Sequence, residues 1–430
     1  MKAFKQLNSI TFSAWWSRAV LAVFAGGLIA STSHAAVREL WRVRSTDTRD
    51  AHTFNVAASA IDTNGNIVIA GTYYTSPSRN LFVASYDAAG TKLWEFTGRP
   101  TFQVFVNDLV IRPDGAVLVA FAEYDGRSAA TASIICLRDG DLRWERMEPN
   151  VIFSDVGART LKVNELGELF MYSFDWLEQP AALNFPASVS KYDMAGHALW
   201  LTRPPFISIG TAYSPLTFDL TPAGQPIVTG VANDGFPSVV ASLNAITGKV
   251  RWQRRPRGVF HNAVAVKAGS KSICVTGEDG YVIYANNGRR LGTRRDYRYF
   301  SDRITTTREG GFMLLSPHGG IYRAVLSPSG RVRWNNFSEP FPAIGFFEDA
   351  VDGYVLFGFT GNSLVFHRLD RRGRPVSSEI LGQYPITSWP PKGVTVLAAP
   401  GGTWRVVANH DQYAFTIAAY GEQPTFEFSP

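Results

Sequence analysis

Six aromatic and acidic residues are of types that recognise other molecules, and all six lie in the first half of the chain: Tyr73, Tyr74, Tyr124, Asp175, Trp176 and Tyr213. An aromatic ring offers a large contact area, and a neighbouring polar group binds a protein or a sugar through hydrogen bonds. We therefore predict that these residues form a binding surface for a protein or carbohydrate partner. The alternative is that the rings pack on one another and only cover the ends of the sheets.

The six residues lie in or next to polar segments that are predicted to be long loops: 72–80, 122–132, 173–186 and 202–215. Long loops on a rigid scaffold are a frequent location of binding sites. The turns at the other end of the same repeats are predicted to be short throughout, at about four or five residues. The sequence therefore predicts one face of long loops, built by consecutive repeats.

Motifs for catalysis are absent from the sequence. It contains no Cys-x-x-Cys-His, Gly-x-Ser-x-Gly, His-Glu-x-x-His or P-loop pattern, and its seven His residues are widely spaced. The two cysteines, Cys136 and Cys274, lie in separate apolar segments and are predicted to be buried free thiols. We expect no metal and no cofactor, and binding rather than catalysis.

A repeated pattern indicates how these residues are positioned. The pattern is apolar-x-apolar-(Asp/Asn)-x-x-Gly-x-x-x-Trp, with copies at 84–94, 190–200 and 241–252 and fainter copies that end at Trp144 and Trp334. Repeats spaced by roughly 40–56 residues are typical of repeat architectures. The Asp or Asn and the Gly favour a tight turn, and the Trp is predicted to dock between neighbouring sheets. The docking residues are Trp94, Trp144, Trp200, Trp252 and Trp334.

Each repeat contains four short apolar segments separated by turn residues, which predicts an all-β fold of four-stranded antiparallel blades, a β-propeller. The second-strand pattern occurs eight times, so eight blades are expected, with seven as the alternative. Two further segments, 40–43 and 425–428, both resemble outermost strands. Only one of them can complete the last blade, and the sequence leaves this choice open. The alternative function is an enzyme with its site at the mouth of the central channel: a degenerate quinone-dependent dehydrogenase, a lyase or a hydrolase.

The repeat resembles the tryptophan-docking repeat of the pyrroloquinoline-quinone-like propellers, and residues 241–252 are the most similar copy. That family contains quinoprotein dehydrogenases and non-catalytic periplasmic scaffold lipoproteins. The dehydrogenases are expected to carry adjacent cysteines and a Ca²⁺ site, but Asp108, Asn262 and Asp302 are only scattered candidates here. The lipidated cysteine of the scaffolds is also missing. The resemblance therefore implies a degenerate, non-catalytic member, in which the repeats ending near Leu291, Ile380 and Phe428 have lost the Trp.

Residues 1–35 have the layout of a cleavable signal peptide. Lys2, Lys5 and Arg18 precede the 12-residue apolar run 19–30. The small residues Ser33 and Ala35 then stand at positions −3 and −1 of a predicted cleavage before Ala36. We expect a single propeller domain over 36–430, in a monomer that is periplasmic or secreted. The apolar run is well short of the roughly 20 residues that span a bilayer, so no transmembrane segment is expected in the mature chain.

The mature charge does not indicate nucleic acid as a partner. The chain has 42 basic and 36 acidic residues, and removal of the leader's three basic residues leaves a net charge of +3. Arginines nevertheless cluster at 251–257 and 289–298. These clusters either bind an anionic polymer or surface, or form a solvated face.

Overall fold

Segments rich in Val, Ile and Ala form the strands, and the segments with Asp, Asn and Gly between them form the turns. The computed structural model describes residues 37–45, 53–75, 78–101, 103–124, 131–148, 151–152, 161–175, 184–204, 208–210, 217–231, 238–256, 263–277, 279–296, 301, 303–316, 322–336, 343–349, 352–384, 394–410 and 414–422. Their regular structure is β-strand, with one short 3₁₀ turn at Pro400–Gly402. No helix within these residues has the length and apolar character of a membrane span.

The first four blades follow the order of the sequence. Blade one contains β2 (Thr53–Ile61), β3 (Ile67–Thr75), β4 (Ser78–Tyr86) and β5 (Lys92–Thr101), and is preceded in the chain by β1 (Val37–Arg44). Blade two contains β6 (Gln103–Ile111), β7 (Val117–Tyr124), β8 (Thr131–Arg138) and β9 (Asp141–Glu148). After the short β10 (Val151–Ile152), blade three contains β11 (Leu161–Val163), β12 (Leu169–Asp175), β13 (Asn184–Tyr192) and β14 (Ala198–Thr202). After β15 (Ser208–Gly210), blade four contains β16 (Thr217–Leu220), β17 (Pro226–Val231), β18 (Ser238–Leu243) and β19 (Val250–Arg254).

The last four blades complete the ring. Blade five contains β20 (Ala263–Ala268), β21 (Ser272–Gly277), β22 (Gly280–Ala285) and β23 (Arg290–Arg295). Blade six contains β24 (Arg303–Thr306), β25 (Phe312–Ser316), β26 (Tyr322–Leu326) and β27 (Val332–Asn336). Blade seven contains β28 (Ala343–Glu348), β29 (Tyr354–Thr360), β30 (Ser363–Leu369) and β31 (Pro375–Gln383). Blade eight contains β32 (Val394–Ala399), β33 (Thr403–His410), β34 (Ala414–Glu422) and, as its outer strand, β1.

The eight-bladed propeller predicted from the sequence is confirmed, and the seven-bladed alternative is wrong. The N-terminal strand β1 pairs antiparallel with β34, so that Arg42 lies opposite Ala418 and Arg44 opposite Thr416. The ring is therefore closed by joining the two ends of the chain in one sheet. Residues 425–428, the other candidate for the closing strand, lie outside the described residues.

The first strand of each blade lies innermost, because first strands of neighbouring blades contact one another, as β16 does with β20. Apolar residues on both faces of the sheets then pack between blades. Each of the eight interfaces between consecutive blades holds its own cluster of buried apolar residues within the described part of the chain. Between blades eight and one, Val407 and Ile417 pack with Ile67 and Ile69. No blade can bury its core faces without both of its neighbours.

Several segments predicted to be long loops are extended strands. β3 continues to Thr75 and β4 begins at Ser78, so residues 72–80 are almost entirely paired. The segments 122–132 and 173–186 are shortened in the same way by β7, β8, β12 and β13. In 202–215, Ser208 of β15 pairs with Pro186 and Val231, which joins blades three and four into one sheet. Backbone pairing satisfies polar groups that a long loop would leave to water.

The turn between the third and fourth strands prepares a docking surface for the preceding blade. In blade one, Asp87 Oδ1 accepts hydrogen bonds from the backbone N–H groups of Ala89 and Thr91, at 2.9 and 2.8 Å. Gly90 has φ +89° and donates to the carbonyl oxygen of Asp87. With no side chain, Gly90 allows the indole of Trp41 to pack directly on the turn.

The same contact recurs around the ring, from the outer strand of one blade to the turn of the next. Its members are Trp94 on Gly140, Trp144 on Gly196, Trp200 on Gly248, Trp252 on Gly288 and Trp334 on Gly373. Most of these indoles also donate a hydrogen bond to the turn, for example Trp252 Nε1 to the Asn286 carbonyl at 2.9 Å. Trp252 and Trp334 are buried, whereas Trp94, Trp144 and Trp200 are half-buried.

Two blades depart from this contact for different reasons. In blade five the register places Gly292 at the tryptophan position, and the Tyr281 hydroxyl donates to the Gly330 carbonyl of the next blade at 2.8 Å. In blade seven the position is Ser377. Its neighbour, blade eight, has no chain turn between β34 and β1, because these strands come from opposite ends of the chain. The eighth repeat, whose Trp was expected to be lost near Phe428, instead has Trp41 at this position.

Substituting Gly373 by Ala should lower stability more than the same change at Gly115. Both glycines have positive φ, +76° and +83°, which costs about 1–2 kcal/mol for a residue with a Cβ. A Cβ on Gly373 would lie 2.5 Å from the Trp334 ring, whereas a Cβ on Gly115 has no neighbour within 4 Å. Overpacking adds about 1–3 kcal/mol. Equilibrium denaturation measures both variants, and equal losses would contradict the docking contact at Gly373.

Candidate functional site

The candidate site is a cleft of about 520 Å³ at the seam between blades eight and one, where the two ends of the chain meet. Val43, Arg44 and Ser45 of the N-terminal segment form one wall, and side chains of blade one form the other. The cleft extends from the turn at Gly90 to Tyr73, near the opposite end of the blade. Its volume is within the range of sites that bind small molecules or single side chains. We call it the seam cleft.

Aromatic side chains form the floor of the seam cleft. The Phe54 ring is stacked on Tyr73 at 5.9 Å between centroids and meets Phe82 edge-on at 5.4 Å. Phe415 of blade eight stacks on Phe82 at 6.0 Å. Mutual packing fixes these rings; Phe82 and Phe415 are buried, so the half-buried Phe54 and Tyr73 offer most of the aromatic surface. Tyr73 is the one member that the sequence singled out.

Polar groups surround this aromatic floor. Lys92 and Glu95, both on the outer strand β5, form an ion pair at 2.8 Å, and Arg44 projects from the other wall. Burial, with the nearby Glu95 carboxylate, raises the pKa of Tyr86 to about 12. The phenol of Tyr86 therefore remains protonated at neutral pH. An apolar floor with charges of both signs at its edge favours binding of an amphipathic group.

Three of the other predicted binding residues, Tyr74, Tyr124 and Asp175, lie at the same end of their blades. Tyr74 follows Tyr73 on strand β3, so its side chain points to the opposite face of the sheet, and 36% of it is exposed. The prediction that these two tyrosines lie on a loop is wrong, because both pair with β4. The backbones of Tyr124 and Asp175 end strands β7 and β12. Trp176 and Tyr213 lie outside the described residues.

Sequence reasoning missed several residues of the seam cleft. Phe54 and Phe82 resemble ordinary apolar strand residues. Phe415 and Arg44 are 371 positions apart in the numbering and meet only because β1 closes the ring. The segment 40–43 could have indicated the seam, because it resembles an outer strand with no blade before it and therefore needs a partner sheet elsewhere in the chain.

A second group of charged residues lies on the inner strands of blades three, four and five. Asp219 is buried and forms ion pairs with Lys162 at 3.0 Å and Lys267 at 3.1 Å. It also accepts the N–H of Ala268 at 2.9 Å. Burial alone would raise the pKa of Asp219, but both lysines and this hydrogen bond outweigh burial and hold the pKa below its usual value. A carboxylate fixed as an anion in this way cannot serve as a general acid at neutral pH.

Another inner-strand carboxylate is also engaged by the backbone. Asp108 accepts the N–H of Leu109 and, across the blade interface, the N–H of Leu161, both at 2.9 Å. Asn262 and Asp302, the other scattered candidates for a metal site, lie outside the described residues. Within the described residues, no three His, Cys, Asp or Glu side chains are grouped as metal ligands. Asp108 and Asp219 thus connect neighbouring blades.

The two cysteines, Cys136 and Cys274, are buried free thiols in blades two and five. Burial raises the pKa of both thiols. A protonated, buried thiol is a poor nucleophile, so these residues act as small apolar side chains.

Comparison with solved structures identifies propellers. BamB from Moraxella catarrhalis is 13% identical, with a TM-score of 0.51 over 89% of this chain and 98% of that chain. The C-terminal WD40 domain of Sif2 is 10% identical, with a TM-score of 0.56 over 90% and 99%. A eukaryotic initiation factor is 14% identical, with a TM-score of 0.51 over 81% and 80%. Identities this low establish the fold alone. No family model and no curated protein sequence matches the chain.

Replacement of Asp219 by Asn should destabilise the propeller and weaken its acid dependence. A carboxylate with a depressed folded pKa contributes stability above its unfolded pKa of about 3.9, and this stability is lost as pH falls through the folded pKa. Loss of hydrogen bonds to charged groups costs about 1–3 kcal/mol at pH 7. Denaturation at several pH values measures this cost, with the exposed Glu165→Gln as control. A variant with the same acid dependence as the native protein would show that Asp219 is not part of this linkage.

Proposed function

We propose that this protein is a secreted or periplasmic binding module that holds a protein or carbohydrate partner in the seam cleft and along the adjoining blade ends. The observation that carries the proposal is the preformed aromatic floor of Phe54, Tyr73, Phe82 and Phe415, edged by charged groups. The apolar faces of sugar rings and aromatic or aliphatic side chains all bind to such surfaces.

The proposal places the chain among the non-catalytic relatives of the pyrroloquinoline-quinone-like propellers. The recurrent contact between an outer-strand Trp and a Gly turn supports this relationship, since the repeat resemblance rests on the same residues. Export rests on the signal-peptide pattern at 1–35 and on a mature domain that starts at Ala36. N-terminal sequencing of the exported protein tests this part, and retention of the apolar run 19–30 would contradict it.

The predicted outer residues of the binding face remain part of the proposal. Tyr74 and Tyr124 lie at the blade end towards which the seam cleft extends, and the proposal assigns them, together with Asp175, Trp176 and Tyr213, to the periphery of the partner contact. The partner's anchoring group enters the cleft itself, where its contact area is largest.

A Glu95→Lys, Thr97→Arg double variant should reduce partner recovery by about tenfold or more, because it reverses a charge and fills the cleft. Its thermal midpoint should change little, since both residues are exposed on an outer strand. Affinity capture from a periplasmic or secreted fraction, together with a glycan array, measures the effect. Glu145→Lys is the matched control, because Glu145 follows Trp144 in blade two as Glu95 follows Trp94 in blade one.

Undiminished binding by the double variant would contradict the seam cleft as the partner site. An equal loss in Glu145→Lys would show that the effect reflects the overall charge of the outer strands rather than this cleft.

A further inference from the structure

The outer edges of blades four and five carry a continuous set of exposed arginines. Two lie on β19, two lie in or directly after the turn that leads into β23, and two end that strand. We call this surface the basic rim: Arg251, Arg254, Arg289, Arg290, Arg294 and Arg295. Of the residues clustered with them in the sequence, Arg257 and Arg298 lie outside the described residues.

Few carboxylates offset the charge of the basic rim. The described residues between 238 and 296 include only two acidic ones, Asp279 and Asp296. Arg251, Arg289 and Arg290 form no ion pair with any described residue. The rim therefore exposes uncompensated positive charge on a protein whose mature net charge is only +3.

Three arginines at the corresponding place in blades six and seven are compensated by carboxylates, whereas Arg331 and Arg372 form no ion pair with a described residue. Arg333 pairs with Glu309 at 2.5 Å, Arg374 pairs with Asp370 at 2.7 Å, and Arg371 pairs with Asp352. Exposed arginines at the outer edge of a blade are thus common in this protein. The basic rim differs in that Arg251, Arg289 and Arg290 lie together on two adjacent blades without an ion-pair partner among the described residues.

The two halves of the rim form one surface because the blades are docked. Arg254 Nε donates to the Gly288 carbonyl at 2.8 Å, directly before Arg289 and Arg290. The indole of Trp252 packs on the same glycine. The tryptophan contact that joins the blades therefore also brings their arginines together.

Exposed apolar side chains lie on the outer strand of blade three and in the neighbouring turn of blade four. Leu199 and Leu201 of β14 are 49% and 50% exposed, and Ile246, in the turn of blade four, is 82% exposed. Trp200, between the two leucines, donates a hydrogen bond to the Ala245 carbonyl at 3.2 Å, which places that strand beside Ile246. Leu199 and Leu201 point to the face of β14 away from blade four, because they flank Trp200, whereas Ile246 precedes the rim strand β19 in the same blade.

We propose that the basic rim and its apolar neighbours bind the surface of an anionic phospholipid bilayer. Arginines attract the negatively charged headgroups, and exposed Leu and Ile side chains gain by entering the boundary between headgroups and acyl chains. A soluble acidic polymer would use the arginines but would leave Ile246 in water. The outer strands also form the convex side of the ring, where a plane contacts a few adjacent blades at once.

This inference also gives the bound protein an orientation. In a ring of eight blades, the interface between blades four and five lies diametrically opposite the interface between blades eight and one. A protein bound through the basic rim would present the seam cleft away from the bilayer. The membrane contact and the partner site are thus separate, and each can be lost without the other.

Flotation with vesicles of phosphatidylcholine, with and without phosphatidylglycerol, tests the proposal on the mature protein. We expect binding only to the anionic vesicles, with a decrease as salt rises from about 0.05 to 0.5 M, because ionic strength screens exposed charges. Arg289→Glu with Arg290→Glu should weaken binding at least about tenfold. Ile246→Ser should weaken it several-fold without changing the salt dependence.

The matched control is Arg371→Glu with Arg372→Glu, which makes the same charge change at two exposed arginines in the corresponding turn of blade seven. It should bind the vesicles within about twofold of the native protein. If it loses as much binding as the Arg289→Glu, Arg290→Glu variant, the effect comes from net charge alone and the proposal is overturned. Full binding by Ile246→Ser, with competition by soluble polyphosphate, would assign the rim to a soluble polyanion instead. Circular dichroism of every variant establishes that it is folded.

Discussion

The contact between an outer-strand tryptophan and the glycine turn of the next blade connects most of the structure. A blade is a four-stranded sheet with apolar residues on both faces, and it is stable only between two neighbours. The indole on the turn fixes how far each blade is rotated against the next, because it packs on a surface without a Cβ. Its hydrogen bond to a turn carbonyl then fixes the position of the turn itself, as at Trp252 and Asn286. The same geometry aligns the inner strands, where Asp108 and Asp219 reach the backbone of the following blade.

A closed ring of this kind contains one place where the chain cannot provide a covalent turn, the outer edge of blade eight. Strand β1 fills this position, and the backbone N–H of Val37 donates to Glu379 of blade seven at 2.8 Å. A phenol pair, Tyr384 and Tyr420, lies behind the strand with its oxygens 2.7 Å apart. On its other side, β1 meets blade one through Trp41 and leaves the seam cleft beyond that contact. The candidate site and the closure of the ring thus have the same origin.

The fold could be predicted from the sequence because its signals are local and repeated. Each Asp-x-x-Gly turn and each β-branched segment indicates a hairpin, so eight copies give eight blades. The site could be predicted only in part, because it depends on contacts between distant segments. Tyr73, which lines the seam cleft, was a candidate because of its residue type, but Phe415 and Arg44 become neighbours only through ring closure. The strand extensions at Thr75 and Ser78 were missed, because polar residues at a strand end have the composition of a loop. Trp41 was not assigned to docking, since its blade is built from both ends of the chain.

The proposed function requires that a partner binds at the seam that the N-terminal strand creates. Amide hydrogen exchange of the protein with and without its captured partner tests this claim most directly, because edge-strand amides exchange rapidly when uncovered. We expect slower exchange in the bound state at residues 43–45 and 92–97, with little change at the inner strands. Slower exchange confined to the inner strands around Asp219, at 161–163, 217–220 and 263–268, would place the partner at the central channel and contradict binding at the seam.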